Sequence, residues 1–331
     1  MYKAFQIWTL LFVVLVTAVG DKVSAEPIGK CYGSFDTATH VLVIEKSCQE
    51  GQVLVNASVP IEIPKVGNTL RVSWLVSSKN LLANEVVIEN TGKQVKISTR
   101  EFWSRATGTF KQTADPGTYA VNATDSGCNS SSYSLGKSIF PLGVSWYYNP
   151  TGQPSSNSNA IYRIGGAFAA WKNETNRCQI SSRTNLFSST YLGTTSSPEA
   201  MGGNPPPSSL SLCPPSRLID GLNVVGWGLL PSGVIAATCI DYNLASLVKD
   251  SDIRFSSQFN WFSEANSTNC VAAYDLGDIA THEVGHMIGL GHSEAGTDQV
   301  MNPNAFGCNF WNRKLAKGDL LGFRALWGGN N

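Results

Sequence analysis

The sequence predicts a chain in two parts: a β-sandwich-like N-terminal domain, then an α+β domain that carries the functional residues. Short Val-, Ile- and Thr-rich segments separated by turn residues fill residues 26–130, a pattern typical of antiparallel sheets. Helical and strand-like segments are mixed over residues 139–331, as in α+β domains. Three of the four histidines cluster in one short segment near the C-terminus, two of them in a predicted helix. A chain of 331 residues is long enough for two cores.

The first 25 residues have the features of a secretory signal peptide. Lys3 precedes an apolar run from Phe5 to Val19, and a short polar region with small residues ends at Ala25, the order of a cleaved leader. An uncleaved anchor is the alternative, but the run is shorter than the roughly 20 residues of a membrane span. We expect cleavage after Ala25 and no membrane attachment afterwards. The mature chain is then secreted and extracellular, or periplasmic in a Gram-negative bacterium.

The N-terminal domain is predicted to be β-rich over residues 26–130. Its candidate strands are TLRVSWLVSS, EVVIEN, KQVKIST and GTYAVNAT. A polar segment, residues 131–138, is predicted to link it to the second domain. All eight cysteines follow the leader, and an even number in an exported chain predicts disulfide bonds. The role of this domain is open between a pro-domain, a substrate- or surface-binding module and a spacer.

The second domain, residues 139–331, is predicted to mix strands with three helices. The first helix, residues 159–173, has one apolar stripe, formed by Ile161, Ile164, Phe168 and Trp171. Residues 192–217 are rich in Pro, Gly and Ser and predict a long loop held by Cys213. The candidate strands are VSWYYN, NVVGWGLL, VIAATCIDYN and SDIRFSSQFNW. A second helix over 275–290 begins at Asp275 as N-cap, and a third covers 314–328.

Three of the four histidines lie in the segment HEVGHMIGLGH. His282 and His286 are four residues apart, so on a helix both rings lie on one face and can bind one ion. A continuous helix would place His292 about 15 Å along the axis from His282. Gly289 and Gly291 allow the positive φ with which a helix ends and the chain turns. We therefore expect all three imidazoles to converge on one metal ion.

Three neutral imidazoles and an open position are typical of a catalytic zinc ion, which acidifies water and polarises a carbonyl. Glu283, directly after the first histidine, is predicted to be the general base that takes a proton from water and delivers it to the departing amine. The predicted activity is that of a metalloendopeptidase acting on proteins or peptides. The formal net charge is zero, which gives no electrostatic reason for binding nucleic acid.

The sequences HEVGHMIGLGHS and QVMNP resemble the signature of the metzincin zinc metallopeptidases, H-E-x-x-H-x-x-G-x-x-H with a downstream methionine turn. Within this clan the chain is most similar to the matrixins, because of Ser293 and Pro303. The resemblance implies a mixed twisted sheet, an active-site helix, a C-terminal helix and a place in the extracellular matrix. It also implies that Met301 lies in a turn beneath the imidazoles, and that Pro303 and Gly289 support the site.

The resemblance further implies that a substrate binds as an extended strand, along SDIRFSSQ or VIAATCI as an edge strand. Residues 302–317 would then border the pocket for the side chain after the scissile bond. The extra histidines of a structural zinc site are missing from the sequence, and calcium is possible but unsupported. The cysteine motif that keeps animal matrixins latent is also missing. Cys128, just before the domain, is expected to be disulfide-bonded.

A second hypothesis comes from a different class of protein. The chain would be an extracellular binding or adhesion protein, and its zinc site would be structural or inactive. Structural zinc sites use four protein ligands, whereas catalytic sites keep one position open. The number of protein ligands therefore distinguishes the two hypotheses.

Overall fold

The fold is that of a computed structural model, which describes part of the chain. The described residues are 33–36, 41–44, 53–56, 59–76, 85–91, 95–100, 126–136, 140, 143–199, 213, 220–263, 272–294 and 297–328. The predicted signal peptide (1–25), the candidate strand GTYAVNAT and most of the predicted 192–217 loop lie outside them. No helix among the described residues is both long and apolar enough to cross a lipid bilayer.

A ten-stranded sheet dominates the described residues. With strands numbered in chain order, its order is β1 (Gly33–Asp36), β2 (Val41–Ile44), β7 (Val95–Arg100), β6 (Glu85–Asn90), β5 (Asn68–Val76), β12 (Val234–Asn243), β13 (Val248–Ser256), β11 (Asn223–Gly228), β9 (Val144–Tyr148) and β10 (Ser189–Thr194). Three small pairs are β3 (Val53–Asn56) with β4 (Val59–Glu62), β8 (Ser134–Leu135) with β16 (Leu290–Gly291), and β14 (Asn260–Phe262) with β15 (Ala273–Asp275).

The large sheet is mixed, as the α+β prediction requires. Strands β10, β9, β11 and β13 are parallel, whereas β12 is antiparallel to β13.

The predicted strands at VSWYYN, NVVGWGLL and VIAATCIDYN are confirmed, the last with its predicted ends. SDIRFSSQFNW divides between β13 and β14. The segment predicted as a loop from residue 192 starts within β10, which continues to Thr194. Cys213 forms the predicted covalent link, to Cys239 of β12.

Four α-helices are described: α1 (Ser126–Asn129), α2 (Ala160–Lys172), α3 (Leu276–Met287) and α4 (Lys317–Trp327). The predicted stripe of α2 faces the core, with Ile164, Phe168 and Trp171 buried. The predicted N-cap of α3 is confirmed, because the Asp275 carboxylate accepts a hydrogen bond from the backbone N–H of Asp278 at 2.7 Å.

The hydrophobic core lies between the sheet and helices α2 and α3. Trp146 of β9 stacks on Phe168 of α2, with ring centroids 4.6 Å apart. The indole N–H of Trp171 donates to the carbonyl of Thr281 in α3 at 2.8 Å, which satisfies a buried donor. These contacts fix the position of α3, the helix that carries two of the three clustered histidines.

The N-terminal strands differ from the expected sandwich. Strand β5 is paired with β12 along its whole length, from Asn68 opposite Asn243 to Val76 opposite Val234. Strands β6, β7, β2 and β1 follow β5 in the same sheet. One sheet thus continues through both halves of the chain, and a separate β-sandwich is not confirmed by the described strands. The boundaries 26–130, 131–138 and 139–331 stay a prediction.

The pairing of β5 also changes the expectation for an edge strand. SDIRFSSQ belongs to β13, which has β12 and β11 as neighbours, and VIAATCI belongs to β12, which has β13 and β5. Neither segment is therefore an edge of the described sheet, and this part of the expectation is wrong for the chain as it is folded. The sequence of β12 could not indicate this, because the partner strand lies far away along the chain.

Candidate metal centre

Helix α3 brings together the first two histidines of the cluster. His282 and His286 lie one helical turn apart on a common face, with ring centroids 4.6 Å apart. Their Nε2 atoms are 3.0 Å from each other. Both side chains are buried. The spacing of four residues therefore directs both nitrogens to one point, as the sequence predicts.

The third histidine reaches the same point after a break in the helix. Helix α3 ends at Met287, and Gly289 has a φ of +107°, a backbone conformation that strongly favours glycine. The Nε2 atoms of His292 and His286 are 3.0 Å apart. All three histidines offer ligand atoms within 4.8 Å of one another.

Gly291 differs from the prediction. Of the two glycines, only Gly289 has a positive φ. Gly291 lies in β16 opposite Ser134 of β8. A Cβ atom at Gly291 would lie 2.3 Å from the Ser134 hydroxyl oxygen, closer than any side chain tolerates. The same hydroxyl donates to the carbonyl of His292 at 2.7 Å. Gly291 thus allows the close approach of β8, which holds the chain on its way to the third histidine.

The hydrogen bonds of two rings fix their tautomers in the form that binds a metal. The Nδ1 atom of His282 is 2.6 Å from the carbonyl oxygen of Val300, and that of His286 is 3.1 Å from the carbonyl of Leu290. A carbonyl only accepts, so each Nδ1 carries the proton and each Nε2 presents its lone pair. Tetrahedral zinc with Zn–N bonds of 2.0–2.1 Å needs nitrogens roughly 3.3 Å apart. The observed 3.0 Å separations fit this ion.

Burial keeps these imidazoles neutral. Desolvation lowers the pKa of His282 to about 4, although its hydrogen bond to Val300 acts in the opposite direction. Desolvation also lowers the pKa of His286 well below its ordinary value, and the two neighbouring imidazoles add to the effect. Because a protonated imidazole cannot bind a metal, the site is prepared for a cation at neutral pH.

Glu283 is fully buried beside the histidines, and one of its oxygens is already engaged. Its Oε2 accepts a hydrogen bond from the hydroxyl of Thr238 in β12 at 2.5 Å. Its Oε1 has no hydrogen-bond partner among the described residues. Burial raises the pKa of Glu283 to about 8, and the Thr238 hydrogen bond opposes the shift. A cation held by the three histidines would lower that pKa again.

Met301 lies in a tight turn packed on α3. Asn302 donates its backbone N–H to the carbonyl of Gln299, which closes the turn, and Pro303 follows as a buried residue. The Met301 sulfur lies against Gly285, between the first two histidines on the helix. A Cβ atom at Gly285 would be 2.3 Å from that sulfur and 2.8 Å from the Trp171 ring.

Replacing Gly285 with alanine is therefore expected to weaken metal binding. The added methyl group must displace Met301 or Trp171, and overpacking of this kind typically destabilises by about 1–3 kcal/mol. The expected result is a lower melting temperature and a weaker hold on zinc in competition with a chelator. Gly165→Ala is the matched control, because a Cβ there meets nothing within 4 Å. Equal zinc retention in both variants would contradict this account of the packing.

Asp319 is a supporting residue that the sequence reasoning missed. Its buried carboxylate accepts backbone hydrogen bonds from Val300 at 2.9 Å, Met301 at 3.1 Å and Ala316 at 2.8 Å. Since Val300 in turn accepts from His282, Asp319 holds the turn that orients the first histidine. The available signal was an aspartate in the first turn of the C-terminal helix. That position is ordinarily explained by helix capping alone.

Among the described residues, the three histidines form the one cluster of three or more His, Cys, Asp or Glu side chains that could hold a metal ion. Calcium, which the sequence left possible, gains no support from that part of the chain. The expected disulfide bond of Cys128 is confirmed, with Cys178 as its partner. Its sulfur is therefore not available as a thiol ligand to a metal.

The mixed sheet, the helix with two histidines, the glycine turn and the methionine turn are together consistent with a metzincin-like α+β domain. Residues 233–328 match the family model described as Matrixin, so this part of the chain is a matrixin-like domain. A stretch of 58 residues is 47% identical to Metalloendoproteinase 5-MMP of Arabidopsis thaliana, and covers 17% of this chain and 15% of that protein. In this match the chain spans about 15% of the length of the curated relative.

Proposed function

We propose that the protein is a secreted zinc-dependent endopeptidase. The observation that supports this most is the convergence of three buried histidine side chains beside a buried glutamate with one free oxygen. The similarity to a metalloendoproteinase and the matrixin match support the same class. With three protein ligands, the site has the composition of catalytic zinc, whereas structural zinc has four.

His282, His286 and His292 would hold the zinc ion through their Nε2 atoms. When bound, the ion supplies Lewis acidity to the scissile carbonyl and to the attacking water. The carbonyls of Val300 and Leu290 keep two of the rings in the required tautomer and orientation. Met301 supports the helix behind the rings without taking part in the chemistry.

Glu283 would act as the general base. The Thr238 hydroxyl fixes Oε2, so Oε1 is the oxygen left to accept a proton from the attacking water. The same carboxyl group then delivers the proton to the amine that leaves. Because the side chain is fully buried, water outside the site does not compete for this proton.

The substrates would be proteins or peptides bound in an extended conformation, with residues 302–317 bordering the pocket after the scissile bond. Export through the predicted leader places this activity outside the cell, in agreement with the disulfides Cys128–Cys178 and Cys213–Cys239. Nucleic acid and membrane are not proposed as partners.

The test is a measurement of zinc content and peptide-bond hydrolysis on the full chain. Mass spectrometry is expected to find zinc bound, and a library of quenched fluorescent peptides is expected to be cleaved. 1,10-Phenanthroline should abolish cleavage, and added zinc should restore it. A chain that binds zinc and cleaves no peptide in any variant would favour the adhesion protein with a structural site instead.

A further inference from the structure

The strand next to the metal site has both edges occupied. On one side β12 pairs with β13, and on the other side it pairs with β5 from the N-terminal half of the chain. The second pairing is antiparallel and extends over all of β5. A backbone edge that is already paired cannot accept another extended peptide, because its N–H and C=O groups are used.

This edge lies directly at the proposed catalytic group. The Thr238 hydroxyl in the middle of β12 binds Glu283, and the residue of β5 opposite Thr238 is Ser73. Side chains directly opposite in an antiparallel pair lie on the same face of the sheet. Ser73 therefore belongs to the face directed at α3. Its hydroxyl is buried and has no hydrogen-bond partner among the described residues.

A buried arginine on the same face of β5 reaches the segment between the second and third histidines. The Arg71 guanidinium donates to the carbonyl of Leu290 at 2.8 Å and to the Glu85 carboxylate at 3.0 Å. The Leu290 carbonyl is also the group that orients the His286 ring. Strand β5 is therefore held both by the sheet and by the metal-binding turn.

We propose that β5 is an internal inhibitor, which occupies the edge of β12 where an extended peptide substrate would pair. This inference rests on the proposed function and adds the regulation of the same site. It gives a role to the β-rich N-terminal part and replaces the missing cysteine-based latency. Because β5 belongs to the same chain, it competes at the high effective concentration of an intramolecular partner. Displacement of β5 exposes the edge.

The pairing can be tested first without any substitution, by residue-resolved hydrogen exchange on the intact full chain. A strand with neighbours on both sides has nearly all its amides hydrogen-bonded, whereas on an edge strand alternate amides face solvent. We expect every amide from Ala236 to Tyr242, where β12 is paired on both sides, to be protected. Rapid exchange at alternate positions of β12 would overturn the proposal.

The second test measures access to the site. Zinc-loaded chains carrying Glu283→Ala bind fluorescein-labelled casein without hydrolysing it, and anisotropy reports affinity. Adding Arg71→Ala leaves Glu85 buried without its partner and should release β5. Binding is then expected to tighten at least about tenfold, because apparent affinity scales with the open fraction. Arg254→Ala is the matched control, since it breaks another buried pair, with Glu199, and should leave affinity unchanged.

Two outcomes of this test contradict the proposal: equal casein affinity with and without β5 released, or the same gain from Arg254→Ala as from Arg71→Ala. Faster hydrogen exchange of the β12 amides verifies that β5 has been released. If Arg71→Ala leaves β12 protected, Val72→Pro is used, because proline cannot donate within an inner strand. Hydrolysis is assayed separately with Glu283 present. Tighter casein binding without hydrolysis contradicts the proposed peptidase function alone, whereas hydrolysis by the intact chain at the same rate as by the Arg71→Ala chain contradicts inhibition by β5 alone.

Discussion

Replacing Glu283 with glutamine is expected to reduce peptide hydrolysis by roughly 10²–10⁴-fold, the range that general acid–base catalysis contributes. Glutamine keeps the size of the side chain and can still accept the hydrogen bond of Thr238. It cannot take a proton from water or return one to the leaving amine. The rates are measured in the intact chain and in the Arg71→Ala chain, so that a covered β12 edge does not hide the effect.

Zinc content is the measurement that separates this loss from a loss of metal. Glu283 is not among the three ligands, so zinc is expected to stay bound in Glu283→Gln. Glu294→Gln makes the same chemical change at an exposed side chain two residues after His292, and it should retain full activity. Hydrolysis by Glu283→Gln at the original rate would disprove the assigned general base, although the metal site itself would stand.

The sequence predicted the local parts of this site because each depends on a short spacing. The spacing of four positions from His282 to His286 defines a helix face, and Gly289 defines the end of that helix. Asp275 identified the start of α3 in the same way, since an N-cap needs only the next few residues. Signals of this kind depend on nearby residues and do not need the rest of the fold.

The pairing of β5 with β12 could not be predicted by the same reasoning. Its residues are separated by more than 150 positions in the chain, and the Val- and Ile-rich pattern of each strand suits any partner. Both strands are buried, so their composition resembles that of any inner strand. The same limit explains why Asp319 was overlooked, because two of its three acceptor contacts reach Val300 and Met301, which lie 19 and 18 residues earlier in the chain.

Removing the Asp319 carboxylate is expected to have the second large effect. Asp319→Ala leaves three buried backbone N–H groups without an acceptor, and each such group typically costs about 1–3 kcal/mol. The unfolding free energy should fall by roughly 3 kcal/mol or more. Burial raises the pKa of Asp319, so the folded site disfavours its charge overall, and the backbone donors of Ala316, Val300 and Met301 offset part of that cost.

The effect on zinc distinguishes support of the site from support of the fold alone. Asp319 acts on His282 through Val300, and loss of such an outer contact typically lowers metal affinity about 10–100-fold. Chelator competition at a temperature where the variant remains folded measures this affinity. Asp298→Ala is the matched control, because Asp298 lies next to the same turn but accepts from the Ser126 hydroxyl. If both variants hold zinc equally well, Asp319 stabilises the fold without positioning the first ligand; a selective loss in Asp319→Ala assigns it the positioning role.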